Sequence, residues 1–371
     1  MNIEHIRIGE AENGGPVFIS KAAGNHHISV TGMSGSGKTV WLTFLETWLA
    51  SKGATVIVLD YADTHNLSRM SSPWRSDFER YSRIIDVKRD GIPFPLWPKH
   101  PLGESDPRGD VSSVLDIVLR IAGLSTVQCA YLFDILEQDC YPHRLSQHDP
   151  LESIWRSVGE RIVNCPSDEK RELQRIYIKL ALAAKMVRIN PNQVLSPGKI
   201  NVLNIEYGDS TGIAVCNLLL DLLWQDVQSQ QVNAVQETFL VLDEYQHLDL
   251  SHNNAPLSNI LREGRRYGLS AILSTQNLSS FTAKEKGLIN QAATKIYFRQ
   301  TKRDAYEITR GFPEKERKVL ANTLASLSVG QCCAEGIFSV EKMLKNNMLT
   351  LNVKRSSTAA TQAVRRIEFR R

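Results

Sequence analysis

The chain has 371 residues, 42% hydrophobic and 23% charged, with a net charge of +4. That balance suits one large α/β domain carrying an insertion, or two domains, and it excludes a disordered or strongly acidic protein. No run of eighteen apolar residues exists to cross a membrane and the first residues do not read as a signal peptide, while six cysteines lack the spacing of a zinc site or a disulfide framework, so a reduced cytoplasmic protein is expected.

In chain order, residues 1–25 hold two short apolar stretches around Asn13-Gly14-Gly15, which predict a small hairpin. His27–Thr31 then reads as a strand, and Val30–Thr39 spells Val-Thr-Gly-Met-Ser-Gly-Ser-Gly-Lys-Thr. Gly32, Gly37, Lys38 and Thr39 match G-x-x-x-x-G-K-[ST], with Gly35 a further small residue inside the loop and a helix beginning at Val40. The chemistry demands these types: successive backbone N–H groups converge on a polyphosphate only where Cβ atoms do not block them. Gly32, Ser34, Gly35, Ser36, Gly37, Lys38, Thr39 and Val40 are therefore the expected nucleotide cradle. Lys38 is expected to reach the β- and γ-phosphates of ATP and Thr39 to ligate Mg²⁺, in front of the positive end of the helix dipole.

Ala54–Asp60 is a continuous apolar run closed by an acid, as in strands buried on both faces of a parallel sheet. Asp60, Tyr61, Asp63 and His65 follow it near the expected nucleotide site. Asp60 suits either assistance to the metal and water or the capping of a loop. Residues 64–108 gain six prolines and lose periodicity, so irregular chain or short strand pieces are expected there. From Asp110 to about Met186 apolar residues recur at helical spacing, among them Val111, Val114 and Val118, then Leu132 and Ile135, then Leu173, Ile176, Leu180 and Leu182. An all-helical insertion follows from this. His143 and His148 in that stretch fit no metal template, and Trp41, Trp48, Trp155 and Trp224 fall in helical apolar patterns that suit core or interface.

Strands are expected again at Ile200–Ile205, Thr238–Glu244, Leu269–Gln276 and Thr294–Phe298, with a last pair near 331–338 and 348–353 and an apolar helix over about 211–228. The alternation argues for a doubly wound, mainly parallel sheet. Phe239–Leu242 ends in Asp243 and Glu244, where an open α/β sheet places ligands. Asp243 suits the Mg²⁺ shell and Glu244 the polarisation of water. Gln276, ending the next strand, suits a sensor of the γ-phosphate. Arg262, Arg265 and Arg266 just before that strand suit a solvated helix end or an arginine reaching a neighbour's ATP, Arg262 first. Arg299, Lys302 and Arg303 suit a solvated strand end, a ring pore or the neighbour's phosphates, and Lys354, Arg355, Arg365, Arg366, Arg370 and Arg371 make a basic tail.

The Gly-Met-Ser-Gly-Ser-Gly-Lys-Thr loop, the Leu-Val-Leu-Asp-Glu strand and the Leu-Arg-Glu-Gly-Arg-Arg-Tyr-Gly-Leu…Ser-Thr-Gln block together resemble the HerA/FtsK superfamily of P-loop motors, HerA-type ATPases and conjugative coupling proteins most of all. The third block makes the likeness specific. It implies a RecA-like P-loop NTPase core with a mainly parallel sheet and an all-helical insertion, assembled into a hexamer with ATP between subunits and with DNA or protein partners. Only some 25 residues precede the phosphate-loop strand, so the resemblance implies a core without HerA's N-terminal barrel, working with a partner protein. The expected division is 1–100 and 196–345 for the core, 104–195 for the insertion and 346–371 for a last strand and tail. On this reading the chain is an Mg²⁺-dependent ATP hydrolase driving double-stranded DNA. The alternatives are a ring scaffold activating a nuclease or other effector in antiviral defence, and a conjugation or secretion motor.

Overall fold

The computed structural model describes residues 5–10, 15–20, 24–68, 70, 75–100, 106–146, 149–190, 192–206, 209–229, 237–248, 255–340 and 343–352. His148, Val353 and the basic tail lie outside the described residues. By its internal contacts the chain forms two units, one of residues 1–84, 196–203 and 235–371, the other of 85–195 and 204–234.

The strands are β1 (Ile6–Glu10), β2 (Pro16–Ile19), β3 (Ile28–Thr31), β4 (Thr55–Asp60), β5 (Ser82–Asp86), β6 (Ile200–Asn204), β7 (Thr238–Leu242), β8 (Leu269–Thr275), β9 (Thr294–Phe298), β10 (Gln331–Val340) and β11 (Met343–Asn352). They make one mixed sheet in the order β11-β1-β2-β10-β9-β3-β8-β7-β4-β6-β5. From β9 to β4 the neighbours run parallel, and β10 turns antiparallel beside β9. The hairpin of β1 and β2 pairs antiparallel with β10, at the far side of the sheet from the Asp243-Glu244 strand. A mostly parallel α/β sheet with helices is thus the observed fold class, as expected.

The central strands are buried because their apolar runs face helices on both sides. All six residues of β4 are buried. Alternate residues of the strands, including Ile28, Val30, Val56, Val58, Phe239 and Val241, join Trp41, Leu45 and Leu49 of α1 (Lys38–Ser51) in one core cluster. In β9, Ile296 and Phe298 belong to this cluster, whereas Tyr297 packs with Ala305, Ala321 and Leu324 of a second one. That is the period-2 alternation of a strand covered on both faces. Trp41 is fully buried, donates its indole N–H to the Ile8 carbonyl at 2.9 Å and meets Phe298 edge-on, so it anchors the core rather than a base.

The segment expected to be irregular holds two short helices, α2 (Arg75–Tyr81) and α3 (Val87–Asp90), around β5. Phe78 is the one buried residue of α2, too little to leave a periodic trace. The second unit is built of α4 (Pro107–Ala122), α5 (Thr126–Ile135), α6 (Pro150–Asn164), α7 (Ser167–Met186) and α8 (Asp209–Ser229). Val111, Val114 and Val118 of α4, Leu132 of α5, Ile154 of α6, and Leu173, Ile176 and Leu180 of α7 make its buried interior. Leu182 departs from the expected pattern and is exposed. Within this unit Arg120 grips Asp221 with two hydrogen bonds of 2.8 and 2.9 Å, and burial pushes the Asp221 carboxyl up to about 6. The remaining helices, α9 (Pro256–Glu263), α10 (Ala283–Ile289), α11 (Lys302–Ile308) and α12 (Glu314–Ser326), belong to the sheet unit.

Candidate nucleotide site

In the ladders, Thr31 of β3 pairs with Thr275 of β8, Leu242 of β7 with Leu273 of β8, and Leu59 of β4 with Leu242. The carboxyl ends of four parallel strands therefore come level, and β8 stands between the phosphate-loop strand and the Asp243-Glu244 strand. This is the edge at which such sheets bind ligands.

The loop from Gly32 to Gly37 is held from three sides. Thr275 accepts the Gly32 N–H at 3.3 Å, Arg299 accepts the Met33 N–H at 2.8 Å, and Ser36 accepts the Gly330 N–H at 3.0 Å. A Cβ on Gly32 would stand 2.5 Å from Phe298 Cβ, and Gly37 takes the left-handed φ of +107°, so both positions require glycine. Ser34, Gly35, Thr39 and Val40 are exposed along the loop and the first turn of α1, which contains no acidic residue. Ser36 is buried, and its hydroxyl has no partner. Lys38 donates to the carbonyls of Gly32 at 2.6 Å and Met33 at 3.2 Å. Burial lowers its pKa, against the opposing pull of Asp243 and Glu244.

Asp243 is buried, and that burial, aided by the Glu244 charge, raises its pKa. Glu244 adopts the left-handed region at φ 55°, ψ 35°, rare for a side chain without a local amide. Its carboxylate is clamped: Oε1 accepts from Gln276 Nε2, and Oε2 from Gln246 Nε2 at 2.5 Å. Gln246 in turn accepts the Thr275 hydroxyl at 2.7 Å. Gln276 and Glu244 thus come together, as the sequence suggests, whereas Gln246 was missed because a residue two positions beyond an Asp-Glu pair carries no motif signal.

Of the three arginines, Arg265 donates to the Gly24 carbonyl, and Arg266 lies 4.0 Å from Glu263. Arg262 is exposed in the last turn of α9. Lys302 and Arg303 are exposed at the start of α11, and Arg299 is half-buried. Asp60 has the capping partners of a loop acid, the backbone of Thr64 and His65. His65 is buried between it and Glu46. Burial opposes its charge, but the Glu46 carboxylate and Asp60 outweigh that and raise its pKa well above the ordinary value.

The donor set fits a Mg-nucleotide. A buried unpartnered serine hydroxyl, a glycine-lined loop, a helix N-terminus without its own acid, one lysine and an oxygen pair in Thr39 and Asp243 are what a polyphosphate and a hard oxygen-seeking cation require. The family described as Helicase HerA, central domain, matches residues 6–295. The chain belongs to that family. It is a HerA-like P-loop ATPase. The fold is similar to VirB4 of Thermoanaerobacter pseudethanolicus, with a TM-score of 0.68 at 17% identity over 96% of this chain and 98% of that one. It is similar also to the bacterial conjugative coupling protein TrwBdeltaN70 (TM-score 0.61, 13% identity, 96% of this chain and 90% of that one). TrwB in complex with ADP and Mg²⁺ gives 0.57 at 14% identity, over 92% and 88%. No curated protein sequence matches the chain. Among the described residues no helix is long and apolar enough to cross a membrane.

Proposed function

We propose that this HerA-like ATPase is an ATP-driven motor that acts on double-stranded DNA as a homo-hexamer in the cytoplasm, together with a partner protein. The observation that carries the reading is the convergence of Lys38, Asp243, Glu244 and Gln276 at the carboxyl ends of β3, β7 and β8. Backbone N–H groups beyond Met33, in the loop and the first turn of α1, and the Lys38 ammonium would hold the phosphates. Thr39 and Asp243 would hold Mg²⁺, which when bound would neutralise charge on the phosphate oxygens. Glu244 takes a proton from the attacking water while Gln246 and Gln276 fix its carboxylate, and Gln276 exchanges that partner for the γ-phosphate. Arg262, exposed in the last turn of α9, stabilises the transition-state charge in the neighbouring subunit, so turnover depends on assembly.

The likeness to VirB4 and to a conjugative coupling protein supports a second reading, a motor of a conjugation or secretion apparatus. ATPase rate and particle mass, measured with and without double-stranded DNA for wild type and Glu244→Gln, test both. A ring whose turnover rises with DNA and is lost in the variant supports the DNA motor. A ring indifferent to DNA favours the secretion reading or an effector-activating scaffold, and a monomer without hydrolysis rejects all of them.

A further inference from the structure

The loop after β4 is tied at both ends and aims one side chain at the catalytic strand. Asp60 spends both oxygens inside it: Oδ1 accepts the Thr64 N–H at 2.9 Å and its hydroxyl at 3.2 Å, and Oδ2 accepts the His65 N–H at 2.9 Å. Asp63 makes the turn possible at φ 55°. The His65 ring, wholly buried, places Nε2 3.1 and 3.2 Å from the two oxygens of buried Glu46, about two turns along α1 from Lys38. Between these anchors Tyr61 donates its hydroxyl to the main-chain carbonyl of Glu244.

That carbonyl belongs to the residue in the left-handed region, a conformation that costs an ordinary side chain about 1 kcal/mol or more and persists only where the surroundings over-determine it. A backbone donor to the same carbonyl, the His247 N–H, lies at a long 3.4 Å. Gln246 and Gln276 locate the carboxylate, but neither holds the peptide. We infer that Tyr61 is a positioning residue for Glu244, held in place by the Asp60, His65 and Glu46 contacts that fasten its loop to the phosphate-loop helix. The inference rests on the reading of Glu244 as the general base. A base displaced by a fraction of an ångström loses rate while the phosphate cradle, built from other residues, keeps its affinity.

Tyr61→Phe removes one hydroxyl and keeps the ring, and it is compared with wild type, Glu244→Gln and the double variant in single-turnover hydrolysis and in titration with a fluorescent ATP analogue. Tyr61→Phe is expected to lower the hydrolytic rate about tenfold, with nucleotide affinity unchanged within about twofold. In the Glu244→Gln background it is expected to have no further effect, because the group it positions is already gone. An active wild type with an unaltered Tyr61→Phe rate overturns this inference alone, as does an affinity loss matching the rate loss or an undiminished effect in the double variant. A wild type that binds ATP without hydrolysing it overturns the reading of Glu244 and the inference with it.

Discussion

His27 immediately precedes the phosphate-loop strand, and its protonation is expected to loosen that strand from β8. The ring is buried, and Nδ1 accepts the Ala271 N–H at 2.9 Å, which only the neutral form with a bare Nδ1 can do. Burial, with His26 adding to it, lowers the pKa from 6.5 to about 4. For a histidine depressed in the native state, the unfolded chain binds the proton first. Stability is therefore complete above pH 6.5, falls as the pH drops towards 4, and is level below that. From those two values, linkage removes about 2 kcal/mol at pH 5 and about 3 kcal/mol at pH 4. Asparagine at this position offers Oδ1 to the same N–H without titrating, so His27→Asn is the reference. Urea melts and hydrogen exchange of the β3 and β8 amides at pH 7.5, 5 and 4 would measure the difference between the two chains. Wild type should lose stability relative to His27→Asn as the pH falls, first at the Ala271 amide. Parallel pH profiles for the two chains would refute the reasoning.

Gly32→Ala places a Cβ 2.5 Å from Phe298 Cβ and 3.1 Å from Ser36 Oγ, so the loop must move; it is expected to lower ATP affinity at least about tenfold while the sheet still melts cooperatively, read by nucleotide titration and thermal unfolding. Equal mixing of the Arg262→Ala and Glu244→Gln chains, each left with only residual turnover, is expected to restore about a quarter of wild-type turnover, since a random ring gives one interface in four both intact groups. No recovery on mixing would place Arg262 outside the neighbour's site.

The loop proposed to cradle a nucleotide was legible as a strand-loop-helix because it is local: one loop, one strand before it and one helix after it fall within Val30–Thr39 and the residues beside them. The Asp243-Glu244 and Gln276 strand ends were legible for the same reason, each closing an apolar run. What escaped the sequence is what depends on contacts between elements. His65 and Glu46 lie nineteen positions apart on a loop and a helix, and neither has a motif around it. Gln246 matters only through Glu244 and Thr275, which arrive from β7 and β8. Helix α2 escaped because one phenylalanine anchors it, whereas β5, with Ile85 its single buried residue, is one of the short strand pieces open to that segment. Conversely Leu182 fits the apolar spacing of α7 and yet is exposed, because spacing marks a face and does not say what covers it.

The position of β8 explains why the site needs these bridging residues. Since β8 separates β3 from β7, the phosphate loop and Glu244 share no ladder and no direct backbone bond among the described contacts. Thr275 joins them instead: its carbonyl takes the Gly32 N–H, and its hydroxyl reaches Gln246, which holds Glu244. Tyr61 approaches the same glutamate from the opposite neighbour, β4, through a loop fastened to α1. Glu244 is thus coupled twice to the cradle, through β8 on one side and through α1 and β4 on the other. A strained residue held from two sides responds when either side shifts, and both sides begin at the phosphate loop. Under the proposed roles, the arrangement would place Glu244, read as the general base, under the control of the residues read as holding the phosphates.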